Sequence, residues 1–216
     1  MSCRDHLRVR DPRSAWLRRT VWPVTVLLLG LALFGCGEDA PAPSSGPIAE
    51  SRGVAIAAKP KGPDLASFCE MRHGKGAGPS FSFPELAGET PKPTGGWRWV
   101  NIWATWCKPC VEELPLLGHW GERLKGEGHS VEMLFVSADR DDETIAQFRE
   151  QHPGAPTSHR VVEIDALPDW LSSVGMDQGA PLPIHFLVAP DGKIRCGRAG
   201  SVKDDDYKNV LALLEE

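Results

Sequence analysis

The run Trp97-Arg98-Trp99-Val100-Asn101-Ile102-Trp103-Ala104-Thr105-Trp106-Cys107-Lys108-Pro109-Cys110 begins as a strand and ends as the opening of a helix. Trp97 to Ala104 is rich in aromatic and branched residues over the length of one strand, which predicts a buried strand. A helix is predicted from Cys107 to about Lys125. At i and i+3 on one helical turn, two sulfurs approach bonding distance with little backbone movement. Cys107, in the first turn, meets unpaired backbone N–H groups and the positive end of the helix, and both favour thiolate. Thiolate is the species that attacks disulfides, so Cys107 is the candidate nucleophile and Cys110, one turn deeper, the candidate resolving thiol. Lys108 adds a nearby positive charge. A structural zinc site would need two further ligands at similarly tight spacing, and the chain has no second C-x-x-C, so the reading calls for no metal and no cofactor.

Outward from this run, strand-like and helix-like segments alternate. Val131 to Ser137 reads as a second buried strand, and Asp141 to His152 as a helix with Asp141, Asp142 and Glu143 at its positive end. Arg160 to Ile164 is predicted as a short strand, Leu167 to Val174 as a helix and Ile184 to Ala189 as a strand. Pro190-Asp191-Gly192 turns the chain into a strand at Lys193 to Ala199, and Lys203 to Leu214 closes as a helix. This order implies an α/β domain over 67–216 with a mixed central sheet flanked by helices on both faces.

These residues resemble the thioredoxin fold and, within it, the membrane-tethered thiol-disulfide oxidoreductases of the TlpA and ResA type. The resemblance spans about residues 78–200. It rests on Val100 to Cys110, on Glu113 and Pro115, and on Leu182-Pro183-Ile184-His185-Phe186-Leu187-Val188 ahead of Asp191-Gly192. It implies that Pro183 is a cis-proline facing the two cysteines, that Trp106 walls the active site, and that Leu182 and its neighbours meet the client backbone. Independently, Pro183 opens a strand, where proline is tolerated. Ile184 and His185 stand where the family usually has small or hydroxyl residues. The implied task is reduction of disulfides in client proteins, such as the cysteines of apocytochrome c or of a copper-binding oxidase subunit, with electrons from a membrane thiol donor.

Two positions refine the chemistry. Ordinary thioredoxins place an Asp in the central strand beneath the resolving thiol, and the matching residue here is Asn101, which cannot exchange a proton. Glu113 can: it lies one turn after Cys110, shares a helix face with it and is the candidate base toward its thiol. Glu112 is assigned to solvent, Trp103 to the core, and Pro115 is expected to kink the helix. His185 alternates with Phe186 and is expected on the opposite sheet face or at the site rim.

The Arg-rich start explains an uneven charge. The chain has 216 residues and a formal charge of −5, yet residues 1–35 hold six Arg and two Asp, leaving 18 basic against 27 acidic residues, or −9, for the rest. A body that acidic is repelled by phosphate backbones, which argues against nucleic acid and requires any membrane attachment to be covalent or hydrophobic. Arg18-Arg19 is followed by an apolar run from Val21 to Phe34, about 14 residues against the roughly 20 a spanning helix needs. Residues 1–35 therefore read as an export signal. Leu33-Phe34-Gly35-Cys36 resembles the lipobox of bacterial lipoproteins, which makes Cys36 the candidate lipidation site; an uncleaved signal anchor is the other reading. Residues 36–66, with Pro41, Pro43, Pro47, Pro60 and Pro63 among Ala, Ser and Gly, read as a flexible tether spanning roughly 30 Å. The expected location is extracytoplasmic, at a membrane through the lipid.

Once Cys3 goes with the signal and Cys36 with lipid, Cys69 and Cys196 remain beside the redox pair. In an oxidising compartment they are expected to pair, closing a loop of about 127 residues worth roughly 5 kcal/mol at most; two separate buried thiols are the alternative. Two rival functions belong to other classes. Cys69-x-Met71-x-His73 offers soft ligands to copper, as a metallochaperone would. A peroxiredoxin-like peroxidase would share the fold, but it usually wants a Thr three residues before its Cys, and Ala104 stands there.

Overall fold

The computed structural model describes residues 62–216. The expected signal peptide, Cys36 and most of the expected tether lie outside the described residues. At the centre is β2 (Trp97–Trp103), joined in parallel to β3 (Val131–Ser137) on one side and antiparallel to β5 (Ile184–Val188) on the other. A parallel pair needs a crossover, and α2 (Lys108–Gly126) supplies it between β2 and β3. Beyond β3, β4 (Ser158–Arg160) adds in parallel after α3 (Asp142–Gln151). On the far side β6 (Ile194–Ala199) pairs antiparallel with β5, and β1 (Met71–Arg72) pairs antiparallel with β6. The sheet is mixed and six-stranded, ordered β1-β6-β5-β2-β3-β4.

The pleat of β2 sorts its side chains. Trp99, Asn101 and Trp103 share one face. There the Trp99 ring lies 5.6 Å from Trp120 of α2, which lies 5.4 Å from Tyr207 of α5 (Tyr207–Leu214). The opposite face carries Val100 and, beside it in register, Phe186. Phe81 and Trp170 of α4 (Leu167–Ser173) pack on Phe186 at 5.8 and 5.7 Å. Both faces are thus covered, and every residue of β5 is buried.

Some elements depart from expectation. The strand expected at Arg160 to Ile164 is β4 at Ser158–Arg160 instead: the Val161 amide still bonds to Ser137 of β3, but the Val162 amide turns to Glu85 and Ile164 begins a 3-10 turn. The last helix is split: Asp204–Asp206 forms a 3-10 turn, with the Lys203 amide donating to Asp206, before α5 starts. Asp64 to Ala66, read as tether, belong to the start of α1 (Leu65–Phe68), which Asp64 caps by accepting from the Ser67 amide. Pro115 lies inside α2 with its side chain toward solvent, a placement compatible with the expected kink. Among the described residues, no helix is long and apolar enough to cross a membrane.

Candidate active site

Strand β2 delivers the chain to Thr105 and Trp106, and α2 starts immediately after them. Cys107 is its N-cap, and Cys107 Sγ accepts the Cys110 amide at 3.3 Å. The helix therefore points its unpaired N–H groups and positive end at the first sulfur, the arrangement that favours thiolate there when the pair is reduced. Lys108 and Pro109 fill the first turn, where the missing proline N–H costs no helical bond. The Lys108 amine is exposed and pairs with Glu112 at 3.7 Å, which places Glu112 in solvent.

Cys107 and Cys110 are joined as a disulfide. Cys107 keeps 6% of its surface exposed and Cys110 none. A client disulfide can therefore reach Cys107 and not Cys110. Asp139, just beyond β3, holds the approach to this pair: its carboxylate accepts from the Thr105 amide at 3.1 Å, the Thr105 hydroxyl at 2.8 Å and the Ser137 hydroxyl at 2.7 Å. Sequence reasoning passed over Asp139, because an acid in the loop before a helix looks like an ordinary turn residue.

Glu113 lies on the buried face of α2 with Cys110, and only 4% of it is exposed. Its carboxylate has a partner on each oxygen. Oε1 accepts from Asn101 Nδ2 at 3.0 Å, and Oε2 accepts from the Val202 amide at 2.9 Å. His185 Nε2 is 3.4 Å from Oε1. His185 thus lies on the sheet face opposite Phe186, as its alternation with Phe186 predicts, and not at the rim. It is fully buried on the Asn101 face, because antiparallel register sets it beside Asn101 and β5 is covered on both sides. The Val202 amide is a backbone donor and carries no side-chain signal in the sequence.

The Leu182–Pro183 peptide is cis, and Pro183 is buried. Leu182 and Ile184, either side of it, line an apolar groove of about 250 Å³ with Trp106, Ile164, Leu167 and Ala180. Trp106 is 69% exposed, the one large apolar side chain among the described residues left so open. Trp103, in contrast, has no exposed surface. Ser201 Oγ donates to the Pro109 carbonyl at 3.3 Å, tying the segment after β6 to the start of α2.

Away from the site, Cys69 at the end of α1 is bonded to Cys196 of β6. That bond takes the only thiol from the Cys69-x-Met71-x-His73 set, so the copper reading loses its thiolate ligand.

No family model matches the chain. The thiol-disulfide oxidoreductase ResA of Bacillus thuringiensis subsp. konkukian is 32% identical over 128 residues, covering 58% of this chain and 68% of that protein. The chain belongs to the ResA family of thiol-disulfide oxidoreductases. The ResA of Geobacillus thermodenitrificans is 29% identical over 136 residues, covering 62% of this chain and 73% of that one. Among solved structures, a thioredoxin-related protein from Neisseria meningitidis serogroup B is 26% identical with a TM-score of 0.45, covering 61% of this chain and 96% of its own. This ResA-family chain has the mixed, helix-flanked sheet of the thioredoxin fold and is an oxidoreductase.

Proposed function

We propose that this oxidoreductase reduces disulfides in client proteins outside the cytoplasm while held to a membrane by lipid on Cys36. Residues 1–35 then act as the signal peptide, 36–66 as lipidated Cys and tether, and 67–216 as the catalytic domain. The observation that carries the catalytic reading is the unequal exposure of the two sulfurs, with a buried carboxylate on the side of the hidden one.

In the reduced enzyme the Cys107 thiolate attacks one sulfur of a client disulfide, forms a mixed disulfide and releases the other client sulfur as thiolate. The Cys110 proton passes to the Glu113 carboxylate. The Cys110 thiolate then attacks Cys107 Sγ, closing the Cys107–Cys110 disulfide and expelling the second client sulfur, which takes up a proton. The client gains two electrons and the enzyme loses two, so a membrane thiol donor must reduce it again. Trp106, Leu182 and Pro183 bind the client: the apolar groove lined by Trp106, the residue before Cys107, suits an apolar residue near the attacked cysteine. Clients of the cytochrome c maturation or copper-oxidase assembly type fit this chemistry. The test is trapping: Cys110→Ser should accumulate mixed disulfides on Cys107, and Cys107→Ser should accumulate none. Equal trapping by both variants would remove Cys107 as the initiating thiol.

A further inference from the structure

The ring of His185 carries its proton on a determinable nitrogen. Nδ1 is faced by two donors, Trp99 Nε1 at 3.1 Å and Asn101 Nδ2 at 3.3 Å. Indole N–H can only donate. Turning the Asn101 amide over would set its carbonyl oxygen against Glu113 Oε1, acceptor against acceptor, so the orientation that donates to both Glu113 and His185 is required. Nδ1 is therefore bare and the proton sits on Nε2. This Nε2 has no exposed surface and no hydrogen bond, and Glu113 Oε1 lies 3.4 Å from it. A charge-assisted N–H···O bond runs about 2.7–2.9 Å and is well aligned, so a small turn of the ring or carboxylate together with a closer approach would complete one.

We propose that His185 is a positioning residue for the exchange reaction, whose Nε2–H serves as a third donor to the Glu113 carboxylate and keeps it ionised and ready to accept the Cys110 proton. This rests on the reading of Glu113 as the base for Cys110. Trp99 fixes the tautomer, His185 presents the proton, and Glu113 receives the one from Cys110. The atoms balance as in the resolving step itself: the proton leaves Cys110 Sγ for a Glu113 oxygen, the Cys110–Cys107 bond forms and the Cys107–client bond breaks.

The other groups around the carboxylate are accounted for. From β2 it meets Asn101; from the segment after β6 it meets the Val202 amide; on its own helix it shares the buried face with Cys110. Of the charged residues beside Val202, Lys203 is exposed and Arg198 is engaged elsewhere. Arg198 donates to the Gly200 and Ser201 carbonyls and lies 3.8 Å from Asp206, which also accepts the Lys203 amide. His185 Nε2 is thus a spare buried donor 3.4 Å from the Glu113 carboxylate.

Removing a donor from a carboxylate raises its affinity for a proton, so the base would remain protonated, and idle, to higher pH. The experiment is rapid mixing of the reduced full-length chain, in detergent, with an aromatic disulfide across a pH series. The first thiol released reports Cys107 attack and the second reports resolution by Cys110. In His185→Leu the midpoint of the second phase should rise by about one pH unit, with the second phase slowed about tenfold below it and the first phase unmoved. His185→Gln, which restores an N–H donor, should recover at least half of the shift. An unmoved midpoint in a folded His185→Leu, or an equal shift in His185→Gln, would overturn the proposal. If His185→Leu does not fold, His185→Val, which suits a strand and also lacks the donor, carries the same comparison. Glu113→Gln separates the two levels: if its second phase matches wild type, the base reading fails. If Glu113→Gln abolishes the inflection and the His185 variants do not move it, only the His185 role fails.

Discussion

Asn101 and His185 stand opposite each other across the antiparallel β2–β5 pair, 3.3 Å apart at their side-chain nitrogens, and both meet the carboxylate of Glu113. Sheet register and a helical turn thus converge on one buried acid beside Cys110. Asn101 cannot take a proton, but it holds the group that can.

The second disulfide sets a stability expectation. Cys69 and Cys196 are 127 residues apart, and they join the end of α1 to β6 where β1 pairs along the sheet edge. Replacing both by Ala should lower stability by about 2–5 kcal/mol. The check is denaturant unfolding with the Cys107–Cys110 pair held oxidised in both proteins. Mass mapping after mild reduction should still find Cys69 bonded to Cys196; alkylation of both in the native oxidised protein would contradict the pairing.

Asp139 anchors the loop that leads to the redox pair through three donors. Asp139→Ala strands those donors, two of them on Thr105, and should cost about 2–4 kcal/mol in stability. Because the loop carries Trp106, capture of a protein client should slow several-fold while attack on a small aromatic disulfide changes less. The two rates in the folded variant are the measurement.

Tyr207 is the single tyrosine in the chain, so an ultraviolet titration reads it alone. Burial, then its hydrogen bond to Glu127 Oε2 at 2.7 Å, pushes the phenol up to about 12 from 10.0. Arg123, 3.8 Å over the ring, opposes this in part. A group with a raised folded value stabilises fully below its unfolded value and loses that contribution as pH climbs to the folded one. Stability should therefore fall by about 2–3 kcal/mol between pH 10 and 12. Tyr207→Phe should remove most of that limb, and a tyrosinate midpoint near 10 in the folded protein would contradict the burial argument.

Much of this architecture was legible because periodicity and spacing are local. The apolar runs of β2 and β3 and the placement of C-x-x-C between strand and helix located both elements to within a residue or two. The misses were non-local. Strand β1 has two residues and is defined by pairing with β6, so no pattern could declare it. Val161 and Val162 have the branched side chains of a strand, yet their amides bond to different partners, and β4 ends before them. His185 obeyed the alternation and faces away from Phe186, but its burial was not legible because β5 is covered on both faces, where period two no longer separates inside from outside.

Attachment has its own test. Labelled fatty acid should enter the wild-type chain, and Cys36→Ser should abolish the labelling; equal labelling of the variant, or persistence of the Arg-rich start in the mature protein, would contradict the lipid anchor.

The direction of electron flow is decided by the reduction potential of the Cys107–Cys110 pair, measured on the full-length chain against a glutathione buffer with alkylation of the free thiols. A reductase of client disulfides should lie well below strong oxidants and near the thioredoxin value of about −270 mV. A value close to that of DsbA, about −120 mV, together with faster oxidation of reduced clients than reduction of oxidised ones, would contradict it.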